Sequence, residues 1–143
     1  MKYNLKSGKY YIGDPCYLFD KEWNNICDFM INGHMNQGEY ISPKGYFVIY
    51  GSTAYGDGVY IDNNHGEYAV DSGVLGIVPF DAIFIDNILD LNSDFDMYSI
   101  VEFKEPFIVH VDGNGFFNFG DIFIDTKDIY DQEEDYPYDE EDD

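Results

Sequence analysis

Phe107-Ile108-Val109-His110-Val111-Asp112-Gly113-Asn114-Gly115-Phe116-Phe117-Asn118-Phe119-Gly120-Asp121-Ile122-Phe123-Ile124 reads as three short strands divided by two tight turns. Aromatic and β-branched side chains suit a pleated, half-buried surface, so Phe107 to Val111, Gly115 to Phe119 and Ile122 to Ile124 are expected strands. Asp112-Gly113-Asn114-Gly115 and Gly120-Asp121 are turn formers, because glycine accepts positive φ and Asp or Asn bonds nearby backbone. A calcium loop is the competing reading. Asp112, Asn114, Gly115 and Asp121 fall on the third, fifth, sixth and twelfth places of a register starting at His110. An imidazole suits a hard cation poorly, the final Asp is one carbon short, and the flanks are strand-like. A hairpin is the better account.

The same grammar extends upstream. Lys9 to Ile12, Gly45 to Tyr50, Gly58 to Ile61, Glu67 to Val70, Val74 to Val78 and Tyr98 to Phe103 read as strands. Gly13-Asp14-Pro15 and Asp62-Asn63-Asn64-His65-Gly66 punctuate them. One segment has the helical period: Trp23, Ile26, Cys27 and Met30 share a face, with Asp20 as the expected cap and Asn32-Gly33 as the stop. Pro79 to Leu91 has room for a short helical turn. The expected fold is mainly β, α+β at most. It is an antiparallel sheet sandwich or partly open barrel with one packed helix, spanning residues 1–127 as a single acidic domain.

Charge narrows the partners. The 143 residues carry a formal net charge of −22, with seven basic residues that are all Lys. Without Arg there is no planar fork for phosphates or guanine edges, and from Gly45 to Phe103 the only basic side chain is His65. Such a surface repels nucleic acid and anionic lipid, so neither is an expected direct partner. The last sixteen residues, 128–143, hold ten acids, which leaves the body at about −12. That tail is expected to be mobile. No apolar run has membrane-spanning length, and Met1 to Lys6 lacks the core of a secretory signal. Cys16 and Cys27 are expected as free thiols of a reducing compartment, the cytoplasm.

Three glycine-acid blocks carry what chemistry the chain offers: Gly13-Asp14-Pro15-Cys16-Tyr17, Tyr55-Gly56-Asp57-Gly58-Val59-Tyr60 and Val70-Asp71-Ser72-Gly73. Each is first a turn. Brought together, Asp14, Asp57 and Asp71 would bind a hard cation or raise one another's pKa, and spacing leaves open whether they meet. Asp71-Ser72-Gly73 also resembles the active-site triplet of aspartic proteases, which need two such carboxylates; Val74 and the poor second signature Asn118-Phe119-Gly120 depart from that pattern. Cys16 invites a Cys–His hydrolase with His34, His65 or His110, but Asp14 and Asp20 would raise its pKa. No zinc spacing occurs.

The order Ile12-Gly13-Asp14-Pro15-Cys16-Tyr17, Trp23, Tyr55-Gly56-Asp57-Gly58-Val59-Tyr60, Val70-Asp71-Ser72-Gly73 and Gly76 resembles a family of small proteins scattered among phages, large DNA viruses and bacteria. The likeness covers roughly the first half of the chain. It implies a viral or mobile-element setting and carries over no activity.

These readings lead to a non-enzymatic acidic interaction protein, virus- or phage-encoded and cytoplasmic or virion-associated. It would engage a basic protein surface as a nucleic-acid mimic or host-defence inhibitor, through Asp57, Asp62, Asp71, Asp81, Asp86 and Asp90. No cofactor or metal is implied. The alternatives are a hydrolase using clustered Asp residues, with or without a divalent metal, and a structural or virion-associated acidic protein.

Overall fold

The computed structural model describes residues 1–19, 21–82 and 97–127. Asp20, Asp86, Asp90 and the tail 128–143 lie outside the described residues, as does most of Pro79 to Leu91. The strands are β1 (Lys2–Leu5), β2 (Gly8–Gly13), β3 (Gln37–Ile41), β4 (Phe47–Ser52), β5 (Gly58–Ile61), β6 (Glu67–Val70), β7 (Val74–Pro79), β8 (Ser99–Phe103), β9 (Phe107–Val111), β10 (Phe116–Phe119) and β11 (Ile122–Asp125). The helix α1 (Lys21–Ile31) lies between β2 and β3. Short 3-10 turns occupy Pro15–Tyr17 and Phe80–Ala82.

Pairing is antiparallel throughout these strands. One sheet runs β1-β9-β10-β11, a second runs β3-β4-β7-β2-β8, and β5-β6 form a separate hairpin. The strand period of two sorts the second sheet's side chains onto two cores. Tyr10, Ile12, Ile49, Leu75 and Ile77 face the first core, where they meet Leu5, Val109, Val111, Phe117, Phe119 and Ile124 of the other sheet. Tyr11, Val48, Tyr50, Val74 and Val78 face the second core, closed by Leu18, Phe19 and the helical Ile26 and Met30. The layers are therefore sheet, sheet and helix, a sandwich with one packed helix.

Close contact between the sheets depends on Gly51. A Cβ there would lie 2.2 Å from Cγ1 of Val111, so any larger residue would force the layers apart.

Two strands were not expected. Lys2–Leu5 pairs with β9, Lys2 opposite His110, and the terminal amine donates to the carbonyl of Val111 at 2.9 Å. Gln37–Ile41 pairs with β4. The helix face also needs correction: Ile26 and Met30 are buried, whereas Trp23 and Cys27 are half-buried flanks of the same core. Glu22 is buried instead, its carboxylate accepting from the hydroxyl of Tyr40 on β3.

Candidate functional site

Strand register brings the three glycine-acid blocks to one end of the sandwich. Gly13 ends β2 opposite Gly76 of β7, and Ser52 ends β4 opposite Val74. Gly58 opens β5 opposite Val70, which ends β6. The turns leaving these ends touch. Thr53 donates its N–H to the carbonyl of Gly73 at 3.0 Å and its hydroxyl to the carbonyl of Gly56 at 2.6 Å. Tyr60 donates to the same Gly56 carbonyl at 2.8 Å.

Asp14 is the hub, and it has no solvent exposure. Its Oδ1 accepts from the N–H of Cys16 at 2.9 Å and the hydroxyl of Ser72 at 2.7 Å. Its Oδ2 accepts from the N–H of Asp71 at 2.7 Å and of Ser72 at 2.8 Å. Four donors on one buried carboxylate are what burial of a charge demands. The arrangement pins the β6–β7 turn to the end of β2 across 57 residues of chain. It is a structural staple, with no face open to a substrate.

Asp71 and Asp57 point outward and are exposed. The hydroxyl of Tyr17 donates to Oδ2 of Asp71 at 2.5 Å. Burial, then that hydrogen bond and the carboxylate's charge, push the Tyr17 phenol well above its ordinary range. The Cys16 thiol is likewise pushed up, first by burial and then by the charge of Asp14 and a hydrogen bond to it. A nucleophilic thiol needs the opposite shift. The histidines sit elsewhere: His34 stacks on Phe29 at 4.1 Å, His65 lies in the β5–β6 turn with φ 67°, and His110 is on β9. Within the chain, Asp14 does not supply a second carboxylate to the protease-like triplet, because backbone and hydroxyl donors engage it. An acid dyad needs a shared proton instead.

Of the remaining expected residues, the described Asp62 and Asp81 are not gathered with these. Asp62 is buried in the β5–β6 turn, far along the hairpin from Asp57. Its carboxylate accepts from the N–H groups of Asn64 and Gly66 and from the hydroxyl of Tyr68, at 2.7–2.8 Å. It is a second staple. Asp81 is exposed at the other end of β7 from Asp71, beside a hollow of about 400 Å³ that Lys6 and Lys9 also line. The calcium-like loop is a hairpin turn, with Oδ1 of Asp112 accepting from Asn114 at 2.8 Å and Phe116 at 3.1 Å. Among the described residues, no group of three or more His, Cys, Asp or Glu is placed to hold a metal ion, and no helix is long and apolar enough to cross a membrane.

One feature went unanticipated: the outward side of the four-stranded sheet, where Ile108 and Phe123 are about half exposed. The outward positions of these strands mix the two kinds, Ile108 with His110, Phe116 with Asn118 and Phe123 with Asp125, and the edge strand adds Lys2 and Asn4. Compared with known proteins, the chain matches no family model, no curated sequence and no solved structure.

Proposed function

We propose that the protein is a non-enzymatic interaction module of phage or viral origin, acting in the host cytoplasm or carried in a virion. Its acidic surface engages a basic site on a protein partner, in the manner of a nucleic-acid mimic. One observation carries most of this reading: the best placed catalytic candidates are committed to holding the fold. Asp14 is buried under four donors and the Cys16 thiol is held protonated, while Asp57 and Asp71 face solvent. The net charge of −22 without a single Arg favours a basic partner by long-range attraction, which speeds encounter and weakens with salt. A hydrolase working through Asp14 or Cys16 has less support for the same reasons. The test is capture from host lysate at low salt, followed by a salt ramp and by competition with duplex DNA. Release by both is expected. Capture indifferent to both would sink the mimicry, since occupation of a phosphate groove cannot survive either treatment unchanged.

A further inference from the structure

Asparagine is followed by glycine at Asn32-Gly33 and at Asn114-Gly115. The main-chain nitrogen after an asparagine is a nucleophile within reach of its side-chain amide, and glycine leaves the approach open because it has no Cβ. The fold holds the two steps differently. At the end of α1, the side-chain NH2 of Asn32 donates to the carbonyl of Asp28 at 2.9 Å, and its N–H donates to the same carbonyl at 3.1 Å. Those bonds turn the amide back along the helix, away from the nitrogen of Gly33. Asn114 is exposed in the β9–β10 turn. Its N–H donates to Oδ1 of Asp112 at 2.8 Å, but neither its side-chain amide nor its carbonyl has a hydrogen-bond partner among the described residues. The N–H of Gly115 has none there either, although Gly115 is buried and a buried main-chain N–H is rarely left unpaired. The peptide group between Asn114 and Gly115 therefore has no hydrogen bond to lose when it turns. That turn, with rotation about χ1 of Asn114, is the motion that brings Cγ of Asn114 to the nitrogen of Gly115.

We propose that Asn114-Gly115 is a site of spontaneous covalent modification, at which the turn asparagine is converted to aspartate or isoaspartate. The Gly115 nitrogen, its proton taken by hydroxide, bonds to Cγ of Asn114. The bond from Cγ to Nδ2 breaks, and the side-chain nitrogen leaves as ammonia. The cyclic succinimide that results is opened by water at either of its carbonyls. Opening at the side-chain carbonyl leaves aspartate on an unaltered main chain; opening at the main-chain carbonyl routes the chain through Cβ and Cγ, as isoaspartate. Only water is consumed. Either product adds one negative charge at neutral pH. An aspartate formed there sets a second carboxylate beside Asp112, whose Oδ1 also accepts from Phe116 at 3.1 Å. Isoaspartate lengthens the main chain by one carbon just before Gly115, whose carbonyl accepts from the N–H and the hydroxyl of buried Thr126, at 2.9 and 2.7 Å. Thr126 in turn accepts from the N–H of Ala54 at 2.8 Å. The change thus reaches a clasp that joins three separate stretches of chain, and it does so whatever the protein binds.

The test holds the full chain in warm, mildly alkaline buffer for days, beside a sample unfolded in urea. Peptide mapping by mass spectrometry reads the gain of about one dalton that exchange of NH2 for OH brings, and a methyltransferase specific for isoaspartate labels that product. In urea, Asn32 and Asn114 are expected to react at comparable rates. In the folded chain Asn114 is expected to react about tenfold faster than Asn32, the margin set by one hydrogen bond that Asn32 must first break. The rate at Asn114 rises with pH, since the attacking nitrogen must lose its proton. Asn114→Gln, which closes a larger ring, is expected to leave that peptide unmodified over the same period. The unsubstituted protein carries the decisive comparison, so the result does not depend on how the variant folds. Folded Asn114 that stays intact overturns the proposal, whether or not the urea sample reacts. Reaction in the folded chain at Asn32 as fast as at Asn114 overturns it too, because the turn would then confer nothing.

Discussion

At the glycine-acid end of the sandwich a carboxylate is buried under four hydrogen bonds; on the outer sheet face, half-exposed apolar side chains lie open. Each inverts the ordinary rule of apolar inside and charged outside. The inversions differ in kind. Burying the charge of Asp14 is tolerable only because every oxygen is occupied, so that region is committed to stability. Ile108 and Phe123 are about half in water, so they contribute far less to the fold than that staple does. An acidic residue in a suggestive motif thus turned out to be structure, while strands that fill the core with Val109, Phe117 and Ile124 leave Ile108 and Phe123 on their other side.

The largest effect that can break this contrast is at Asp14. Asp14→Ala leaves two turn amides, a serine hydroxyl and the Cys16 N–H without their acceptor, and is expected to cost about 3–5 kcal/mol. Asp14→Asn should cost nearly as much, because its NH2 would face donors. Urea melts with an unchanged slope would report it. A loss below about 1 kcal/mol would mean that water replaces the carboxylate, and the staple would be no staple.

How much of this was legible in the chain depends on how local each signal is. The β5–β6 and β10–β11 hairpins carry their strands and turn residues within a few positions, and both were readable. Lys2–Leu5 was not, since a short segment with two lysines between Met1 and Lys6 becomes a strand only against β9, more than a hundred residues away. Gln37–Ile41 has a glycine and only two apolar residues, so its pairing with β4 decides its state. The helix period chose the right face but could not set depth, which is why Glu22 rather than Trp23 is buried: Tyr40 on β3 supplies its partner. At the site, the turns were visible as turns. That Asp14 turns inward to Asp71 and Ser72, and Asp62 to Tyr68, depends on donors brought in by folding.

A second, smaller effect sharpens the contrast through pH. Burial raises Cys16 above its ordinary 9.0, with the Asp14 charge adding to it, and raises Tyr17 and Tyr68 above 10.0; burial takes Tyr50 to about 12. Between the unfolded and folded values the folded state holds more protons, so unfolding free energy falls as pH rises. The contribution is intact below pH 9.0 and is lost progressively above it, as these folded values are approached. Melts at neutral pH and at successive alkaline steps should show a stability that declines from that point on. Cys16→Ser should reduce the earliest part of the decline, which the half-buried Cys27 thiol shares, while substitutions on the outer sheet face leave its shape unchanged. A flat profile well into the tyrosine range would mean that these groups are solvated.

The smallest expected stability effect belongs to the outer face, and its smallness is what matters. Threonine keeps a β-branched side chain on the strand, so replacing Ile108 and Phe123 with it preserves backbone preference while removing apolar surface that is already half in water. Exposed substitutions of this kind stay within about 0.5 kcal/mol each, and the sum here should be no greater than about 1 kcal/mol. A larger loss would show that Phe123 packs on Phe116 as part of the fold, and that the row of rings is held for stability. A near-zero loss removes that explanation. The chain would then keep isoleucine and phenylalanine on the solvent side of a sheet in a protein rich in acids, at a cost in solubility, with no return in stability. Single apolar side chains on a protein surface are ordinary, and a near-zero loss would place Ile108 and Phe123 among them.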